Sequence, residues 1–299
     1  MSYKVHRIDL NFMGQQDSIA SFLIETEEGP ILVESGPAST LKYLEQGIAA
    51  YGYGLSDVKH VFLTHIHLDH AGAAWCFAEH GAQIYLHPLG YRHMHNPEKL
   101  LASAKRIYGD MMDPLWGTLK PIPADQLTQV DHLESVQIGS HKLIGHYTPG
   151  HAKHHLSWQL GPELFTGDVG GVRIYGGPIV PPCPPPDIDI DLWITSVDHI
   201  ESIEEVERYH LTHCSTVDDI SHHRKQLRLA LRTYADWVKP WVVEGKTHDE
   251  VLPEFLANVK RFLVEHGMTE SAVDAYQAAN PPQGSLSGIM RYWTKKLES

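Results

Sequence analysis

At 299 residues, with 42% of them hydrophobic, the chain can bury a substantial core as one large domain or as a domain with a small addition. Its formal charge of −13, from 37 acidic against 24 basic residues, disfavours nucleic acid and anionic membranes as partners and points to a small or neutral substrate. Cys76, Cys183 and Cys214 are too few and too scattered for a disulfide scaffold or a structural zinc module, and no stretch approaches the roughly 18 uninterrupted apolar residues of a membrane span.

The amino-terminal run MSYKVHRIDLNF has no apolar core followed by a cleavage site, so the expected location is the reducing cytoplasm. The pattern then predicts strands at 18–25 and 31–34 around a Gly29-Pro30 turn, and a helix capped by Ser39 and reaching about 51. The apolar run 58–64 reads as a strand that stops at HIHLDH, followed by a helix over 71–80 and a strand at AQIYLH. Strands alternating with helices predict a layered α/β domain.

The stretch 88–125 breaks this rhythm and is expected to be a lid or binding wall, with a helix over 98–108 and with Tyr91, Met94, Met111, Met112 and Trp116 as wall residues. Short strands resume at VQIG, HKLIGHYT, HLSWQL and ELFTGD. The run GGPIVPPCPPP must be an ordered loop close to Asp168, because proline removes backbone donors and restricts its neighbour. IDLWITSVDHIESIEEV reads as a helix, HLTHC ends a further strand, and helices are expected at 221–237, 251–267 and 271–277. The closing KKLES reads as an appended tail.

Histidine is the anomaly of composition, with 22 copies, several of them clustered. His65 and His67 lie two apart at a strand end, where extended backbone turns both imidazoles to one side. Asp69 and His70 follow as the chain turns into a helix, and can be directed at a neighbouring ion. In TPGHAKHH, Pro149 and Gly150 shape the approach of His151, which can close a three-histidine site. FTGD presents Asp168, a carboxylate with two oxygens that can bridge two cations, and HLTHC brings His213. Four separate segments ending in ligands favour an assembled catalytic site over a contiguous structural metal loop.

The motifs THIHLDHAG, TPGHAKHH, TGD and HLTHC resemble those of the metallo-β-lactamase fold superfamily, over about residues 15–220. The resemblance implies a four-layer αβ/βα sandwich, usually a hydrolase, here with a carboxy-terminal helical extension. It implies that His65, His67 and His151 bind one metal ion, that Asp69, His70 and His213 bind a second, and that Asp168 bridges. With Asp69 and His70 adjacent, and Asp168 where a cysteine often serves, the chain looks closer to glyoxalase II, lactonases and phosphodiesterase relatives than to true β-lactamases. One departure is Glu34 in ILVESGP, where relatives often carry aspartate. The expected organisation is a catalytic domain at 1–220, including the lid at 88–125, and a helical region at 221–299 packed on it. A homodimer is expected by analogy with the family.

The expected cofactors are two divalent metal ions, zinc foremost, with iron, manganese or a mixed pair as alternatives. The expected reaction is hydrolysis of a small ester, lactone or thioester by metal-activated water, with Asp69 as a proton acceptor besides its ligand role. Arg173, Tyr175, Tyr91, Met112, Trp116 and His223 are the candidate substrate contacts. His154 and His155 stay outside the ligand set. The alternatives are a phosphodiesterase, a metal-bearing ligand sensor, and a redox protein with a flavin partner, the last lacking any flavin-binding extension in this chain.

Overall fold

The computed structural model of the chain describes residues 3–298. Strands β1 (Lys4–Asp9), β2 (Ala20–Thr26) and β3 (Gly29–Val33) lead into α1 (Leu41–Ala49), β4 (His60–Phe62), α2 (Leu68–Ala71), α3 (Ala74–Glu79) and β5 (Gln83–Leu86). Three helices follow, α4 (Pro88–His95), α5 (Glu98–Tyr108) and α6 (Met112–Trp116), and then β6 (Leu127–Gln129). The strands β7 (Ser135–Ile138), β8 (His141–Tyr147), β9 (Leu156–Leu160) and β10 (Glu163–Phe165) precede α7 (Ile190–Glu201), β11 (Arg208–Leu211) and β12 (Ser215–Val217). The chain ends in α8 (Ile220–Val243), α9 (His248–Glu265), α10 (Glu270–Ala279) and α11 (Pro282–Glu298).

These strands form two six-stranded sheets, ordered β1-β2-β3-β4-β5-β6 and β12-β11-β10-β9-β8-β7, in an αβ/βα sandwich with additional carboxy-terminal helices. The first sheet is mixed: β1, β2 and β3 pair antiparallel, and β3 through β6 pair parallel. Parallel strands are covered on both faces, which is why β4 and its flanks read as one apolar run. The described residues form two compact units, 3–147 with 154–165, and 148–153 with 166–298.

In the first unit the sheets meet through Phe22 against Phe165 at 5.4 Å and Phe62 against Trp158 at 5.0 Å between ring centroids. Trp158 also donates its indole N–H to the Leu63 carbonyl at 3.0 Å, so the strand end that precedes His65 is tied to β9. On the other face of the first sheet, Leu44, Ile48, Phe77, Met94 and Ala104 complete the core. Met94 is fully buried there, a core residue where the sequence suggested a wall. The predicted helix at 98–108 is present with those bounds. Ser39 is not a cap: a 3-10 turn over Ala38–Thr40 precedes α1, and the Ser39 hydroxyl donates to the Leu115 carbonyl at 2.6 Å.

His87, at the end of β5, accepts from the Leu89 amide at 3.0 Å and caps α4. Burial pushes its imidazole down to about 4, with Asp131 opposing. The folded state therefore binds fewer protons than the unfolded chain between about pH 6.5 and pH 4, and this contribution to stability is lost as pH falls through that window. His87→Asn keeps a capping acceptor and cannot titrate. The variant is expected to flatten the decline in melting temperature over that window, and an unchanged slope would contradict this role of His87.

The second unit has its own core, in which Trp193 and Val197 of α7 meet Leu227, Leu231, Tyr234, Phe255 and Leu263, with Leu286 and Ile289 from α11. Each such side chain contributes roughly 1.5–3 kcal/mol when fully buried. Helix α8 runs three residues past Pro240, and α11 begins at Pro282 and includes the Lys295-Lys296 pair that the sequence suggested was a tail. Lys296 pairs with Asp191 of α7. Ser299 lies outside the described residues. Among the described residues no helix is long and apolar enough to cross a membrane.

Candidate metal centre

The first unit supplies four of the seven predicted ligands from one short segment. Val61 and Phe62 of β4 are buried between β3 and β5, and the chain leaves the strand's carboxy-terminal end through buried Thr64. Immediately beyond, His65 Nε2 lies 3.0 Å from His67 Nδ1, and the His65 and His70 rings are 4.0 Å apart. His65 and His70 are buried, whereas His67 and Asp69 remain half-buried. His155 is fully buried and packs its ring 4.9 Å from that of His65.

Glu34 organises this segment. It is fully buried with φ +64, its carboxylate accepts from the Thr64 hydroxyl, and it lies 3.1 Å from His70 Nδ1. A carboxylate in that position takes the Nδ1–H tautomer, which leaves His70 Nε2 as a lone pair. That lone pair lies 3.6 Å from Asp69 Oδ2, acceptor facing acceptor. The amides of Ser35 and Gly36 both donate to the His70 carbonyl, at 2.9 and 3.1 Å, and so fix the same turn from the backbone. The glutamate singled out in the sequence as a departure thus reaches both flanks of the ligand run.

The second unit holds the other three. Gly150 takes φ +132 and lies so close to Trp193 that a Cβ would stand 2.3–2.5 Å from that residue's N, Cα and Cβ atoms. This contact sets His151 beside the Trp193 ring, at 5.5 Å and 84° between planes. His151 Nδ1 donates to the Pro182 carbonyl at 2.8 Å, so its Nε2 is the lone pair, and it faces Asp168 Oδ2 at 3.3 Å. His213 Nε2 lies 3.5 Å from the other oxygen of the same carboxylate. Asp168 is only 2% exposed. A buried carboxylate between two imidazole nitrogens requires positive charge in that space, a proton or a cation. The donor chemistry of both sets therefore fits divalent metal ions.

The proline-rich loop that supports His151 is held by the carboxy-terminal helices. Tyr276 donates to the Pro178 carbonyl at 2.7 Å, the Cys183 amide donates to Ser285 at 3.2 Å, and a Cβ on Gly288 would lie 1.9 Å from the Cys183 carbonyl oxygen. Cys183 is fully buried and burial pushes its thiol up, which suits packing rather than nucleophilic attack.

The candidate substrate contacts separate. Arg173 commits its guanidinium to its own loop, donating to the Gly177 and Gly176 carbonyls at 3.1 and 3.3 Å. Tyr175 stands on that loop with φ +52 and 53% exposure. In the first unit, Tyr91, Met112 and Trp116 are partly buried against the core. Trp116 stacks on Phe12 at 5.6 Å and meets Tyr108 edge-on at 5.0 Å. Burial, and secondarily the charge of Asp69, pushes the Tyr108 phenol up to about 12. The sequence reading missed Tyr108, which ends a helix with no motif around it. His223 is fully buried, with Nε2 on the Gly170 carbonyl at 2.8 Å, a placement that suits support of the Asp168 turn rather than contact with substrate.

A family model described as the Metallo-beta-lactamase superfamily matches residues 14–213. A metallo-beta-lactamase fold-containing protein of Sulfurisphaera tokodaii is 29% identical over 175 residues, 57% of this chain and 63% of that relative, so the match spans less than two thirds of its length. The crystal structure of a metallo-beta-lactamase family protein from Thermus thermophilus is similar with a TM-score of 0.66 at 17% identity, covering 99% of this chain and 93% of that one. A subclass B3 metallo-beta-lactamase from a soil metagenome library has a TM-score of 0.54 at 17% identity, covering 77% and 91%. At these identities the structural likeness is one of fold.

Proposed function

The chain belongs to the metallo-beta-lactamase superfamily, and from that premise we propose that it is a dinuclear metal-dependent hydrolase of a small ester, lactone or thioester. In this reading His65, His67 and His151 hold one divalent ion, Asp69, His70 and His213 hold a second, and Asp168 is shared. Zinc is the first choice for such a set, with iron, manganese or a mixed pair as alternatives. The observation that carries the reading is the buried Asp168 carboxylate set between the Nε2 atoms of His151 and His213. When bound, the ions supply Lewis acidity, toward water as nucleophile and toward the oxygen that gains charge at the attacked carbon.

The remaining roles belong to the chain. Glu34 and the Pro182 carbonyl fix the His70 and His151 tautomers, so that each presents a lone pair. Asp69 keeps its side chain 21% exposed, which suits it to accept a proton from attacking water as well as to bind. Tyr175, Tyr91, Met112 and Trp116 are offered as substrate contacts, the last two on the aromatic face shared with Tyr108, while Arg173, bonded to the Gly176 and Gly177 carbonyls, holds the loop that carries Tyr175. The Asp69-His70 pair and Asp168 favour acyl-bond hydrolysis of the glyoxalase II and lactonase kind over β-lactam opening. The net charge of −13 favours a small molecule over nucleic acid as substrate.

Initial rates normalised to bound metal, across matched lactone, thioester, carboxyester and phosphodiester substrates, test the reading. One acyl class is expected to dominate. Preference for the phosphodiester would replace this assignment with phosphodiester hydrolysis. Selective small-molecule binding without turnover of any class would make the protein a metal-bearing ligand sensor.

A further inference from the structure

Three consecutive carbonyls in the turn Gly167–Gly170 each receive a donor from a different place. The Asp168 carbonyl accepts from the Gly171 amide at 2.9 Å, within the turn itself. The Val169 carbonyl accepts from the Trp193 indole N–H at 2.9 Å, from α7. The Gly170 carbonyl accepts from His223 Nε2 at 2.8 Å, from α8. Gly170 has no room to move away, since a Cβ there would meet Thr166 Oγ1 at 2.3 Å and Leu211 at 2.6 Å.

One of the side chains that do this, His223, is a costly choice for the site it occupies. His223 is fully buried, and with Nε2–H donating, its Nδ1 is an acceptor that meets no hydrogen-bond donor among the described residues. An apolar residue would avoid that unmet acceptor, so the imidazole is explained by the bond it makes to Gly170. Trp193 likewise does two things at once: its ring lies against His151 while its N–H holds the turn of Asp168.

We propose that Trp193 and His223 are positioning residues that clamp the Asp168 turn from two helices and so fix where the Asp168 carboxylate points. This rests on the reading of Asp168 as a metal ligand. A ligand held by its own turn alone could swing about the Cα–Cβ bond and with the turn; three anchored carbonyls remove the second freedom. Helix α8 thereby belongs to the support of the metal site although it contributes no ligand.

The test uses Trp193→Phe, which keeps an aromatic ring beside His151, though a smaller one, and removes the N–H, together with His223→Leu and His223→Gln, the last retaining a donor. Zinc affinity is read by competition with a chromogenic chelator, and site geometry by the visible spectrum of the cobalt-substituted protein. Trp193→Phe and His223→Leu are each expected to weaken the more loosely held ion by about 10–100-fold and to alter the cobalt spectrum. His223→Gln is expected to stay within about threefold of the parent, well short of that loss. In an Asp168→Asn background the same substitutions are expected to add little, because the clamp acts through that carboxylate. Parental affinity and spectrum in both Trp193→Phe and His223→Leu would overturn the proposal, as would collapse of the fold in both, which would assign these groups to core stability. Failure of the parent protein to bind any metal would instead overturn the underlying reading of Asp168.

Discussion

Asp168→Asn is expected to lower metal-normalised turnover by roughly 10²–10³-fold, beyond the 10–100-fold typical for loss of a group that only supports a ligand. The substitution keeps the size of the side chain and removes its charge. The carboxylate is buried between two imidazoles, with one oxygen 3.3 Å from His151 and the other 3.5 Å from His213. An amide there offers one oxygen where two face imidazole nitrogens, and its NH₂ group directs hydrogens into a space that calls for positive charge. The variant should fold, because the three carbonyls of its turn keep their donors. The check is bound metal per chain, together with initial rates on the preferred substrate. Two tightly bound ions and near-parental turnover would remove Asp168 from the ligand set.

Gly150→Ala is expected to destabilise the protein by about 3 kcal/mol or more, from strained backbone plus overpacking. The new Cβ would fall 2.3–2.5 Å from backbone and Cβ atoms of Trp193, which cannot rotate away as the end of a flexible side chain could. The φ of +132 disfavours any residue but glycine at the same position. Relief requires α7 to shift, and the shift carries the Trp193 ring away from His151. Denaturant unfolding should therefore show a lower midpoint, with weakened metal binding in the fraction that remains folded. A midpoint equal to the parent's would mean that α7 accommodates the methyl group, contrary to this account.

The segments that carry the candidate ligands were legible because each is local. His65, His67, Asp69 and His70 fall within six residues, and a strand end followed by a helix start is readable from apolar patterning alone. The bounds of α5 coincide with the expectation for 98–108 for the same reason, an amphipathic run between Pro97 and Gly109. The elements that differ from the expectation are those that distant contacts decide. The helix expected at 71–80 begins instead at Leu68 and breaks near Gly72, where a Cβ would meet the Leu68 carbonyl and the Pro37 backbone. Helix α11 lies beyond the helices expected from the sequence, in a stretch where Pro281, Pro282, Gly284 and Gly288 weaken the helical pattern. Pro282 suits a first helical turn, where its missing N–H is no loss, and Gly288 is required by the Cys183 carbonyl pressed against it. The Glu34 carboxylate bonds across 36 residues to His70, and the His223 donor acts across 53 residues on Gly170. No spacing rule reveals such partners.

We propose that this chain holds two metal ions and hydrolyses an acyl bond with them. The most direct test is titration of the metal-depleted protein with zinc, counting ions bound per chain while following turnover of the preferred acyl substrate. The account predicts saturation at two equivalents with activity restored as the second fills. Full activity in the metal-depleted protein, or saturation at a single equivalent, would contradict it.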